Sequence, residues 1–92
     1  MEVVYSYGGS PFKRDGDGLW SSTGRYLGKF RGDMVYGRDG RYLGELRNDR
    51  LAHNPRHANR QTVASSRMDR MGLARMNRVG RVLPAGWEDF PG

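Results

Sequence analysis

A chain of 92 residues with 36% apolar side chains, 14 glycines and no cysteine allows one small domain and excludes a thick core, disulfides and thiolate metal centres. No run of about 18 apolar residues exists to make a spanning helix, and Met1-Glu2-Val3-Val4-Tyr5 has neither a basic n-region nor an apolar h-region, so a cytoplasmic location is expected, with contact to a membrane periphery left open. The charge of +6 is uneven: residues 1–54 hold nine Lys/Arg against seven Asp/Glu, residues 55–83 hold seven Arg against Asp69 alone, and residues 84–92 hold only Glu88 and Asp89.

Gly-Arg-Tyr-Leu-Gly occurs at Gly24–Gly28 and again sixteen positions on at Gly40–Gly44. A degenerate copy lies upstream, with Val4-Tyr5 matching Val35-Tyr36, Gly9 matching Gly40, and Pro11-Phe12 matching Tyr42-Leu43. A fixed period means one small unit used several times. Each unit reads as strand, tight turn, strand. Gly8-Gly9, Thr23-Gly24 and Asp39-Gly40 supply the positive φ of hairpin turns, and Asp17-Gly18, Gly32-Asp33 and Asn48-Asp49 supply the reversals between hairpins.

The second strand of each unit alternates. Arg25, Lys29 and Arg31 oppose Tyr26, Gly28 and Phe30, and Arg41, Glu45 and Arg47 oppose Tyr42, Gly44 and Leu46. This predicts a sheet with one wet and one apolar face. Leu27 and Leu43 fall on the charged parity and so are expected to pack on the tail or on a partner. Gly28 and Gly44 sit mid-strand on the apolar face, where they either relieve a bend with close approach by another group or leave room for a narrow apolar channel. A fourth unit begins at Arg50-Leu51-Ala52-His53 and is cut short by Asn54-Pro55. About four hairpins over residues 1–54 are expected to close a small ring.

Residues 55–63 read as a polar linker. Over residues 64–83, Ala64, Met68, Met71, Met76, Val79 and Val82 cluster on one side of a helical wheel, with Arg67, Arg70, Arg78 and Arg81 along another. The pattern is that of a cationic amphipathic helix weakened by Gly72 and Gly80, which frays free in water and persists docked on an apolar surface, so a helical or irregular tail is expected. Pro84 stops it, and residues 84–92 form an acidic, aromatic end.

Catalytic and metal chemistry find little purchase. His53 and His57 are the only histidines and have Pro55 between them, fewer ligands than a metal site needs. Asp15-Gly16-Asp17-Gly18 begins like a calcium loop, but the twelfth position is Tyr26 rather than Glu. Arg31-Gly32-Asp33 spells an adhesion tripeptide at a turn position, where turn chemistry accounts for it. No base stands near the hydroxyls of Ser21, Ser22, Thr23, Ser65 or Ser66. Neither an enzymatic activity nor a cofactor is expected.

The Val-Tyr-x-x-Asp-Gly-Arg-Tyr-Leu-Gly units, the Arg-rich segment and the Gly86-Trp87-Glu88-Asp89-Phe90 end resemble the beta-flower proteins, the four-fold type above all. That resemblance implies a shallow, pseudo-symmetric, antiparallel barrel with hairpins radiating as petals round an apolar centre. It also implies a likeness in shape to the tubby C-terminal domain, which binds membrane phosphoinositides. The chain departs from the pattern at Pro11-Phe12-Lys13-Arg14 and in its incomplete fourth unit.

The expected function is that of a binding module. Tyr26, Gly28, Phe30, Tyr42, Gly44 and Leu46 would line an apolar mouth for a lipid or small apolar ligand, and Arg67, Arg70, Arg75, Arg78 and Arg81 would grip an anionic partner. An anionic lipid or membrane surface is the first reading. Nucleic acid held by basic and aromatic sheet positions is the second, and a homo-oligomeric scaffold is the third.

Overall fold

The computed structural model describes residues 2–91. Strands β1 (Glu2–Ser6), β2 (Pro11–Asp15), β3 (Gly18–Ser21), β4 (Tyr26–Arg31), β5 (Met34–Gly37), β6 (Tyr42–Arg47) and β7 (Arg50–His53) pair in chain order, and β1 also pairs with β7. The result is a closed seven-strand all-β barrel. Its closing pair, Tyr5↔Arg50 and Ser6↔Leu51, is parallel while every other is antiparallel. An odd number of up-and-down strands requires this, because the first and seventh run the same way.

Three hairpins are present rather than four: β1–β2, β3–β4 and β5–β6. Their turns are built alike. Gly9, Gly24 and Gly40 have φ of 95°, 90° and 85°, and the N–H of each donates to the residue three before it, Ser6, Ser21 and Gly37. The reversals between hairpins are two-residue turns at 16–17, 32–33 and 48–49, one residue earlier at the first site than the sequence suggested. Asn48 and Asp49 both take positive φ, 50° and 63°, as a type I′ turn requires.

What stands in place of a fourth hairpin is a pair of strands far apart in the chain. The C-terminal half of β7 pairs antiparallel with β8 (Glu88–Asp89) in the register Ala52↔Asp89 and His53↔Glu88. The N-terminal half of the same edge is taken by β1. β8 thus covers the stretch of β7 that the short β1 leaves bare. Phe90, the next residue, enters the core with its ring edge-on to Phe12, centroids 5.2 Å apart.

Neighbouring positions on the odd-numbered strands face opposite ways. Leu19, Val35 and Leu51 are fully buried in the cluster with Phe12, Phe30 and Phe90. Their successors Trp20 and Tyr36, and likewise Tyr5 on β1, form an aromatic belt that is also buried. Leu27 and Leu43 pack against the inner cluster. Gly28 and Gly44 mark close approach: a Cβ at Gly28 would overlap the Tyr36 carbonyl, and one at Gly44 would meet the Phe90 ring and the Ala52 carbonyl.

The tail covers two members of the aromatic belt, Trp20 under Met68 and Arg70 and Tyr5 under Arg78, while Tyr36 packs edge-on to Tyr42. After a single 3-10 turn at Pro55–His57, residues 62–84 run without helix or regular strand, so of the helical and irregular forms open to 64–83 the segment takes the irregular one. The segment is an extended strap bonded to each hairpin turn. Thr62, Arg70 and Arg78 donate their N–H to the carbonyls of Gly40, Gly24 and Gly9 at 2.7, 2.6 and 2.9 Å. Three residues further on, Ser65, Leu73 and Arg81 donate to Arg38, Ser22 and Tyr7 at 3.1, 2.6 and 2.7 Å. The strap therefore repeats every eight residues and reads the three hairpins in reverse order. Eight residues lie near two helical turns, which is why the apolar spacing imitated a helix. Coiling it would remove all six bonds.

A Cβ at Gly9, Gly24 or Gly40 would overlap the carbonyl of Arg78, Arg70 or Thr62, whereas at Gly16 (φ 60°) it would meet nothing. Gly16→Ala is expected to cost only the left-handed backbone term, about 1–2 kcal/mol. Gly24→Ala is expected to add overpacking of about 1–3 kcal/mol. Chemical denaturation of the two variants checks this; equal losses would mean that the strap does not lie against the turns.

Candidate functional site

The topology places the three hairpin turns at one end of the barrel, and the strap therefore circles that end. Its inward contacts are polar. The Met68 carbonyl accepts the Trp20 indole N–H at 2.9 Å, the Asp69 carboxylate accepts the Tyr26 backbone N–H at 2.9 Å, and the hydroxyls of Ser65 and Tyr26 lie 2.8 Å apart. Most of its apolar side chains point away, with Leu73 and Leu83 half-buried. Val63, Met68, Met71, Met76, Val79 and Val82 are 77–94% exposed.

Four of the five arginines expected to face a partner also hold the strap down. Arg67 pairs with Asp17 at 2.7 Å. Arg70 pairs with Asp15 and lies over the Trp20 ring at 4.0 Å. Arg78 lies over Tyr5 at 4.3 Å, and Arg81 donates to the Asn48 carbonyl at 2.7 Å. Arg75 is exposed and makes no ion pair, side-chain hydrogen bond or ring contact among the described residues. The segment thus has the reverse polarity of an amphipathic helix docked by its apolar side.

The six residues expected round an apolar mouth do not gather round one opening. Phe30 belongs to the core cluster, with the Arg14 guanidinium 3.9 Å from its ring, and Leu46 packs against that cluster. Gly28 and Gly44 are closed by neighbours, as described. Tyr26 lines an open depression of about 870 Å³ with Leu27, Leu43, Arg25, Arg38 and Pro91. Tyr42 belongs to a separate polar cluster. Its hydroxyl donates to Glu45 Oε1 at 2.8 Å and accepts from the Asn54 N–H at 3.0 Å, and His57 Nδ1 lies 2.6 Å from the same Glu45 oxygen. Burial first, then the Glu45 carboxylate, push the Tyr42 hydroxyl above the ordinary phenol value against the opposing Asn54 N–H. His53 Nδ1 lies 2.8 Å from the Leu43 carbonyl. The two histidines are therefore structural partners of β6, and no three His, Cys, Asp or Glu side chains among the described residues come together as metal ligands.

Two barrel residues escaped the sequence reading. Arg50 is buried on β7 at a register position where the equivalent residues of β3 and β5 are Gly18 and Met34, and Arg14 lies nearby on β2. With Arg78 and Arg81 they line a depression at the β1–β7 seam. The available signal was one Arg breaking the period-sixteen pattern of small or apolar residues.

No family model, no curated protein and no solved structure matches the chain. The fold and these surfaces are what speak to function.

The Arg70 guanidinium, by hydrogen bond first and by charge second, holds the Asp15 carboxyl below its ordinary value. A depressed pKa contributes stability above the unfolded value, and that contribution is lost as pH falls through the folded one. An NMR titration is expected to place Asp15 below the usual value of about 3.9, and Arg70→Gln to return it there. The stability gap between the two proteins is expected to close as pH falls through that window; a gap that persists in acid would remove the ion pair as its cause.

Proposed function

We propose that the protein is a peripheral binding module that lays its strapped end on an anionic lipid surface. The observation that carries this reading is the row of six highly exposed Val and Met side chains on the strap, interleaved with arginines. Exposed apolar surface of this kind on a small domain marks an interaction site. Methionine is polarizable and adapts to irregular apolar surroundings, and cationic side chains add attraction to anionic headgroups. The apolar row follows the strap round the end of the barrel that carries the hairpin turns.

The resemblance to beta-flower proteins, and through them to the shape of tubby-type domains, points the same way. The nucleic-acid reading has less support. Trp20, Tyr26 and Tyr42 are buried under the strap or within the polar cluster and offer no free face for stacking.

Co-sedimentation with vesicles tests the proposal. The protein is expected to partition onto phosphatidylglycerol vesicles and not onto phosphatidylcholine alone. Replacing Met68, Met71 and Met76 together by Ser is expected to lower partitioning by at least ~100-fold, since a fully immersed Met is worth about 1.5 kcal/mol or more. Equal binding to both vesicle types, or no effect of the triple substitution, would overturn it. So would a doubled mass in solution that the same substitution halves, because the row would then be covered by a second copy.

A further inference from the structure

We propose that the seam where β1 meets β7 is a binding site for a phosphate-bearing anion, held by Arg50, Arg78 and Arg81 with Arg14 at its edge. The seam is the one place in the ring where neighbouring strands run parallel, and a depression of about 490 Å³ opens there. That volume lies within the range of small-molecule sites.

Arg50 is the centre of the site. Its residue is only 7% exposed, and its Nη1 donates to the carbonyls of Ser6 and Val79 at 3.3 and 2.9 Å. Arg81 is fixed by its bond to the Asn48 carbonyl, and Arg78 by its stack on Tyr5. Each guanidinium has five N–H donors, so each keeps free ones after these positioning contacts. None of the three meets a carboxylate at ion-pair distance among the described residues. Two acids line the same depression. Glu2 reaches Arg14 at 3.7 Å, and Asp49 stands in the turn beside Asn48. Four cations therefore face two anions.

The crowding has a cost the isolated chain bears. Burial, with the charges of Arg81 and Arg78 next in size, weakens the hold of Arg50 on its proton. Converging like charges on fixed side chains are relieved by an anion of two or more negative charges. Guanidinium forks match the paired oxygens of a phosphate, a geometry that a monatomic halide cannot offer. Arg78 and Arg81 come from the strap, but none of the row's Val or Met residues lines the depression, so the site is distinct from the apolar row.

Calorimetric titration with inorganic pyrophosphate at fixed ionic strength tests this. One saturable site is expected, weakened at least ~10-fold by Arg81→Gln, the loss expected for one charge-assisted bond. Arg67→Gln, at the far side of the strap, is expected to change affinity by less than about two-fold. Should Arg81→Gln fail to fold, the wild-type chain carries a second readout: pyrophosphate shifts the backbone amides of Ser6, Arg50 and Val79 and leaves Gly32 unmoved. Absence of saturable binding, equal loss in both variants, or shifts spread over all arginine-bearing segments would overturn the site. Displacement of pyrophosphate by phosphatidic acid vesicles would assign a lipid headgroup as the source of the phosphate, and failure to displace it would assign a soluble phosphate ester; either supports the site.

Discussion

At Gly9, Gly24 and Gly40 the backbone takes positive φ, and at the same three residues a carbonyl of the strap lies where a side chain would begin. Two demands fall on one atom position, and only glycine meets both. From this follow the equal spacing of the strap's hydrogen bonds, the covering of Tyr5 and Trp20 by it, and the outward aim of its Met and Val side chains. Were the strap not held at the turns, those two rings would be open to water. So small a barrel could hardly bear that loss, since its inner cluster is only a few residues wide.

Closure is a second consequence of the same long connection. Three hairpins and one further strand would leave half an edge of β7 uncovered. The strap carries the chain round the ring and returns Glu88–Asp89 to that edge and Phe90 to the core. In the β5–β6 register Tyr36 faces Tyr42, and in the β7–β8 register the corresponding Ala52 faces Asp89. Phe90 therefore takes the place held by Leu43 one unit earlier. The Asp89 carboxylate also accepts the Gly8 N–H at 3.1 Å, so the end of the chain is tied to the first hairpin turn as well as to the last strand.

The charge distribution acquires two meanings from this arrangement. Most of the strap's arginines reach inward over aromatic rings or to carboxylates and carbonyls of the turns, where partly shielded pairs are stronger than free surface ones. Near the seam they outnumber the available acids, and there the basic character of the chain is left uncompensated. The apolar face and the cationic seam are different surfaces made from one segment.

The period of sixteen was enough by itself to predict a ring of short antiparallel strands, because like units with like turns bend alike and a repeated pattern of turn glycines is local chemistry. Gly24, Gly40, Asn48 and Asp49 announced their turns through the φ values they permit. The strap was not legible in the same way. Arg70-Met71-Gly72 and Arg78-Val79-Gly80 do repeat at half the barrel's period, but an eight-residue spacing imitates two helical turns, and nothing local distinguishes the two. Only the tertiary structure decided between them, since an extended strap gains its hydrogen bonds from turns some twenty to seventy residues away. The same holds for Phe90 and Arg50. Their burial depends on where the chain's ends and seam meet, and distance along the sequence carries no information about that.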